Sequence, residues 1–210
     1  MSDHSDRLVV YSDHVCPFCF LGRKSVDAFE SQRDEPLDLE WRPFDLRNRL
    51  RRPDGTLDRS GENGTDDASF ERAQQSVDRL SAQYGVEEMR SIDDVSAIDS
   101  FPAQVASYYV AESHPDAWRA FDDAILDALW LEGRDVGEAD VLANLAEDVG
   151  LDGDEIREAA TDVDHRTTVR KRFLAPVRED VSSVPLFIYD GRATEGAVPP
   201  EQLARLVDGV

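Results

Sequence analysis

The five residues Val15-Cys16-Pro17-Phe18-Cys19 constrain the fold more than any other stretch, because they hold the chain's two cysteines at the join of two different patterns. Before them, Leu8-Val9-Val10-Tyr11 is a short continuous apolar run of the kind a buried strand shows. After them, Phe18, Leu21, Gly22, Ser25, Ala28 and Phe29 recur at helical spacing, so a helix is expected from Pro17 to Phe29. Proline suits the first helical turn, where no amide donor is required of it. Gly22 and Ser25 are small enough to let that helix lie close against a sheet. Leu37-Asp38-Leu39-Glu40-Trp41 then alternates as a second strand. Strand, helix and strand at this spacing make a βαβ unit with the cysteines at the carboxyl end of the first strand, where open sheets place their active sites. A thiol at a helix start meets the positive end of the helix dipole, which favours its thiolate, and a second thiol one turn on can close a disulfide with it. Thiol–disulfide chemistry is the expectation.

The rest of the chain divides by pattern. Residues 47–66 are polar and turn-rich, and the cluster Arg47, Arg49, Arg51 and Arg52 reads either as a salt-bridged turn or as a substrate contact. From Asp67 to Asp180 no strand pattern appears. Helices are predicted over 67–84, 101–113, 115–132, 138–149, 153–161 and 165–178, punctuated by Gly85, Pro115, Gly133, Gly150 and Gly153. Strand character returns at Pro185-Leu186-Phe187-Ile188-Tyr189, and Asp190-Gly191 marks a hairpin turn. A short strand follows at 193–196, and a last helix opens at Pro199-Pro200-Glu201. The predicted fold class is α/β: a discontinuous βαβ…ββα domain, residues 1–66 and 180–210, carrying an all-helical insertion at 67–179. Tyr108, Tyr109, Trp118 and Trp130 fall at core-like spacing on insertion helices; they read as packing, with one or two available to roof the cysteine site.

Charge narrows the setting. The formal net charge is -22, yet the hydrophobic fraction is an ordinary 40%, so a folded acidic protein is expected rather than a disordered one. Only Lys24 and Lys171 are lysines. Such a surface suits a halophile's cytosol, where salt screens repulsion between like charges. Nucleic acid is a poor partner, because phosphate binding needs a basic face. The polar start of the chain and the lack of a long apolar run point to a cytoplasmic protein without a membrane partner. In that compartment a lone Cys-x-x-Cys is more often catalytic, redox or metal-binding than a static crosslink. Zinc wants four ligands, and His4, His14, His114 and His165 offer no paired spacing, so no metal site is expected.

Four separated blocks carry a resemblance. They are Ser12-Asp13-His14-Val15-Cys16-Pro17-Phe18-Cys19-Phe20-Leu21-Gly22-Arg23, Trp41-Arg42-Pro43-Phe44, Leu131-Glu132-Gly133-Arg134-Asp135-Val136, and Ser183-Val184-Pro185-Leu186-Phe187-Ile188 with Gly196-Ala197-Val198-Pro199-Pro200-Glu201 after it. In that order the chain resembles the DsbA family, a thioredoxin-like fold with a large helical insertion, and within it the FrnE-like branch. The resemblance implies that Cys16 is a partly exposed nucleophile, mostly thiolate at neutral pH, and that Cys19 is the more buried resolving thiol. It implies that Val184-Pro185 is a cis-proline pair facing the cysteines, with the Val184 backbone able to bind a substrate peptide as an added strand. Pro17 and Phe18 are the tuning positions between the cysteines. Phe18 is neither the histidine of strongly oxidising periplasmic relatives nor the proline of thioredoxin, so the direction of electron flow stays open.

His14, two residues before Cys16, either stabilises its thiolate when protonated or is a water-satisfied loop residue. Thioredoxin's buried acid six residues before the first cysteine is replaced by Val10, which leaves Glu40 as a weak substitute. No cofactor is expected beyond the redox-active Cys16–Cys19 pair, with glutathione as a possible co-substrate. The partners implied are thiol- or disulfide-containing proteins or small molecules, met by a monomer or homodimer. Two alternatives remain open. One is a glutathione-dependent enzyme of the kappa-class transferase or 2-hydroxychromene-2-carboxylate isomerase type, although those carry serine at the first cysteine. The other is a non-catalytic peptide-binding chaperone.

Overall fold

The computed structural model describes residues 7–52, 55–58, 67–86, 88–174 and 181–209. Its sheet has four strands: β1 (Leu8–Ser12), β2 (Leu39–Pro43), β3 (Leu186–Tyr189) and β4 (Arg192–Glu195), in the order β2-β1-β3-β4. β1 is central and its first four residues are buried, as its unbroken apolar run requires. It pairs parallel with β2, Leu8 opposite Leu39, and antiparallel with β3, Val10 opposite Phe187. The parallel pair needs a crossover, which α1 (Pro17–Glu30) supplies. Between β3 and β4 the two turn residues Asp190 and Gly191 have φ of 47° and 71°, the left-handed values that a tight hairpin turn demands.

β2 lies two residues later than the alternation of 37–41 indicates. Leu37 stays outside the strand, and pairing begins where the Leu8 amide donates to the Asp38 carbonyl at 2.8 Å. The strand residues 39–43 all prove half-buried at a sheet edge, so polarity alone did not mark the register.

Helices α2 (Asp67–Gln83), α3 (Phe101–Ser113), α4 (Pro115–Asp127), α5 (Ala139–Asp148), α6 (Gly153–Thr161) and α7 (Val163–Arg172) follow, and α8 (Pro200–Asp208) closes the chain. The architecture is the expected α/β, thioredoxin-like βαβ…ββα with helices between the halves. The carboxylates of Asp152 and Asp162 cap α6 and α7 by accepting backbone N–H groups. Two predicted helices differ in detail from expectation. The 115–132 helix loosens into a π turn over Ala128–Glu132, and Gly133, at φ 73°, ends it. The 165–178 helix runs over 163–172 instead, and its predicted end at 175–178 lies outside the described residues. The arginine cluster is a salt-bridged turn: Arg51 binds Asp45 at 2.5 Å and Asp99 at 2.9 Å, while Arg47 donates to the Val95 and Ile98 carbonyls.

α1 is the seam between the cores, which is why nine of its fourteen residues are buried. Phe20 and Leu21 enter the helical core with Phe121, Ile125, Leu129 and Trp130. Val26 and Phe29 enter the core between sheet and α8, with Leu8, Val10 and Leu203. Each large side chain removed from water here contributes roughly 1.5–3 kcal/mol, so both cores hold α1 in place. Gly22 meets the sheet side, where an added Cβ would stand 3.1 Å from Pro185 and 3.2 Å from Phe187, and Ser25 donates to the Val198 carbonyl at 2.5 Å. The small residues of the helix are thus spent on close approach, as expected. Among the described residues no helix is long and apolar enough to cross a membrane.

Candidate functional site

Cys16 ends the turn after β1 and is the N-cap of α1; Pro17 takes the first helical position. The turn is closed by the Cys16 amide donating to the Asp13 carbonyl at 3.1 Å, and the Cys16 carbonyl accepts from Cys19 and Phe20. Asp13 anchors the loop in three directions: it accepts from the Val15 amide (3.3 Å), the Ser100 hydroxyl (2.6 Å) and the Leu46 amide (2.8 Å). Burial pushes its carboxyl upward, and these hydrogen bonds counter that only in part.

Both cysteines are free thiols. The family resemblance implies a partly exposed Cys16, but it is only 3% exposed, against 1% for Cys19. The reason is packing around the turn: Val9, Tyr11, Val181, Val184 and Leu186 enclose both sulfurs, and Phe18 lies against this cluster and the helical core together. The Cys16 thiol points at the Val184 carbonyl, Sγ to O 3.6 Å, and Val184-Pro185 is a cis peptide bond. Residues 168 positions apart therefore meet at one point, as the family resemblance implied. Burial pushes the Cys19 thiol well up, the neighbouring Cys16 adds to this, and hydrogen bonds from Ser12 and Asp13 oppose it.

Behind the turn lies a second polar group. His14 is 8% exposed and its Nε2 stands 2.9 Å from Asp122 Oδ1 on α4, so it is not a water-satisfied loop residue. Asp122 also accepts from the Ser107 hydroxyl at 2.6 Å and from the guanidinium of Arg23. Burial alone would raise the Asp122 pKa, but Arg23, His14 and Ser107 outweigh it and hold the carboxyl well below the usual range. Arg23, 1% exposed, also pairs with Asp123 at 2.7 Å and stacks over Trp41 at 4.0 Å. The Trp118 indole donates to Ser107 at 3.0 Å. Trp130 lies beneath the turn rather than over it, donating to the His14 carbonyl at 2.8 Å.

Glu40 plays no part near the thiols; Arg42 and Arg7 hold it on the sheet edge. Val10 is buried in the sheet core. Sequence reasoning missed Asp122, Arg23, Ser107 and Ser12. A signal existed: Arg23 interrupts the apolar face of α1, and a buried arginine demands a buried acid. Asp122 begins the stripe Asp122, Ile125, Leu126, Leu129, an acid on an otherwise core-facing edge. Nothing in the sequence paired the two across 99 residues.

A strand ending in Cys-x-x-Cys at a helix start, facing a cis-proline from the opposite half of the fold, defines a class. A family model for the DSBA-like thioredoxin domain matches residues 7–208, and the chain belongs to that family of disulfide oxidoreductases and isomerases. Among curated proteins, the chain is 28% identical over 189 residues to the uncharacterized protein YwbO of Bacillus subtilis, covering 90% of this chain and 88% of that protein. Its fold superimposes on a Streptomyces coelicolor protein described as a probable DsbA oxidoreductase, with TM-score 0.74 and 20% identity over 97% of this chain and 89% of that one. It also matches a 2-hydroxychromene-2-carboxylate isomerase, with TM-score 0.71 and 17% identity over 96% and 93% of the two chains. The cytosolic disulfide reductase DsbM of Pseudomonas aeruginosa, solved with GSH, gives TM-score 0.63 and 20% identity over 97% and 94%.

Proposed function

We propose that this chain is a cytosolic thiol–disulfide oxidoreductase of the FrnE-like branch that cycles a Cys16–Cys19 disulfide against thiol or disulfide substrates. The observation that carries it is the site itself: Cys16 caps the first helix with its Sγ 3.6 Å from the Val184 carbonyl, and Cys19 is buried one turn behind. Cys16 attacks a substrate disulfide, a mixed disulfide forms on its sulfur, and Cys19 displaces the substrate thiol. The Val184 backbone lies where an extended substrate segment would run beside the reacting sulfur. Pro17 starts the helix, and Phe18 shields the pair from bulk water. A neighbour of the same fold solved with GSH supports glutathione as a small thiol partner.

A cytosolic setting is supported by the neighbour described as cytosolic, and a salt-rich one by the charge of -22 with two lysines. The isomerase alternative loses ground to the intact cysteine pair. Insulin reduction by glutathione or dithiothreitol, followed in molar potassium chloride, tests the reading. Wild type should accelerate it and Cys16→Ser should fall to the uncatalysed rate; equal activity in the two would remove thiol exchange as the function.

A further inference from the structure

β2 is an edge strand, and its outer side is open. The Leu8 amide donates to the Asp38 carbonyl, and the Phe44 amide donates to the Ser12 carbonyl. The even-numbered residues of this stretch therefore turn their backbone groups to β1, and in a parallel pair the alternate residues face the other way. That directs the amides and carbonyls of Leu39 and Trp41, and the carbonyl of Pro43, away from the sheet. Among the described residues no hydrogen bond reaches these outward groups. An unpaired edge of this kind is a template for another strand.

The open edge lines a cleft of ≈ 730 Å³, a volume typical of ligand sites. Asp38 to Pro43 form one wall, and the facing wall is helical, with Tyr108 and Glu112 from α3, Trp118 from α4 and Arg172 from α7. α3 runs beside the strand: Gln104 donates to the Phe44 carbonyl at 2.9 Å, and Tyr108 and Glu112 follow at one-turn intervals. Trp41 and Trp118 meet across the cleft with ring centroids 6.4 Å apart, which supplies an apolar surface. Charges on the strand wall are spent on one another, Arg7 on Asp38 and Glu40, and Arg42 on Glu40. Arg172 differs. Its guanidinium lies 5.3 Å from the centre of the Tyr108 ring and donates to that hydroxyl at 3.0 Å, and among the described residues no carboxylate pairs with it. It is a cation held in place for an anionic group.

We propose that this cleft takes an extended polypeptide segment as an added strand against β2, with an apolar side chain against Trp118 and a carboxylate at Arg172. The backbone groups of Leu39 and Trp41 supply the pairing, and the helical wall supplies the selection. A second copy of the chain has the wrong shape, because its own β2 edge is recessed behind the same helices and two recessed edges do not meet. The cleft is separate from the place beside Val184, with Tyr11 between it and the sulfurs. The inference therefore stands apart from the exchange reaction, and it gives the chain a hold on polypeptides that needs no cysteine in them.

The test is fluorescence anisotropy and amide hydrogen exchange of the full chain in molar potassium chloride. The probe is a fluorescein-labelled, cysteine-free nonapeptide that alternates valine and threonine around one central glutamate. At saturation it should slow exchange at the Leu39 and Trp41 amides by roughly fivefold or more, while Glu40 and Arg42, whose amides already face β1, change little. N-methylation of one alternate set of peptide amides should weaken binding far more than N-methylation of the other, because an added strand turns one edge to β2. Wild type should prefer the glutamate peptide to its central-lysine counterpart, and Arg172→Glu, a change at an exposed position, should reverse that order. Absence of binding overturns the proposal, as does binding that leaves the Leu39 and Trp41 amides unprotected. Protection of those amides without peptide, growing with protein concentration, overturns it in favour of a second copy at the edge.

Discussion

Two buried polar sites lie back to back in this fold, and they are built in opposite ways. The thiol site withholds partners: two sulfurs sit in an apolar wrap, with the Val184 carbonyl against Cys16 and only Ser12 and the Asp13 backbone against Cys19. The Asp122 carboxylate is saturated with them: it accepts from an arginine, a histidine and a serine, and the arginine is stacked on tryptophan. An under-partnered group can change its state at little cost to the fold, whereas a saturated one fixes geometry. The difference teaches which site reacts and which one holds the reacting turn in register with the helical block.

The largest expected effect comes from removing the saturated carboxylate. Asp122→Ala removes one of the two carboxylates facing the buried Arg23 guanidinium, and the partner of His14, and should lower stability by about 3–5 kcal/mol in urea titrations. The joint change Arg23→Met with Asp122→Leu should recover much of that loss, since it leaves no lone charge. A cost for Asp122→Ala no larger than that of a surface change would erase the contrast.

A smaller effect tests the close approach beneath the thiols. Gly22→Leu pushes into Pro185 and Phe187 and should cost about 1–3 kcal/mol by thermal melting, with slower insulin reduction because Pro185 adjoins Val184.

The pH dependences of the two sites should have opposite signs. The Asp122 pKa is depressed in the folded chain relative to about 3.9 unfolded, so its contribution is complete above that value and is lost as pH falls below it. Asp122→Asn should show a flatter acid limb than wild type. The Cys19 pKa is raised, so reduced protein should lose stability as pH climbs past about 8.5, and Cys19→Ala should lack that component. Equal alkaline limbs in the two would contradict the burial argument.

The smallest effect belongs to the surface. Arg7 and Asp38 pair at 2.9 Å but both are well exposed, so Arg7→Ala should change stability by less than about 1 kcal/mol, and by still less in high salt.

Local signals made much of this legible beforehand. The strand, the cysteine turn and α1 follow from an apolar run, a proline and a helical period within about two dozen residues. The hairpin follows from Asp190-Gly191, and the helical block from its glycine punctuation. What stayed hidden depends on distance or crowding. Arg23 finds Asp122 across 99 residues, the register of β2 rests on an edge where every residue is half-buried, and the burial of Cys16 comes from Val181, Val184 and Leu186 arriving from the far end of the chain. Phe18 was legible as a residue between cysteines but not as part of their cover.

The central claim is that Cys16 accepts the substrate and Cys19 releases it. Intact-mass measurement of Cys19→Ser after reaction with glutathione disulfide tests it most directly. One stable glutathione adduct, mapped to Cys16 and absent from Cys16→Ser, is the predicted result. No adduct on Cys16, with insulin reduction still at the wild-type rate, would contradict it.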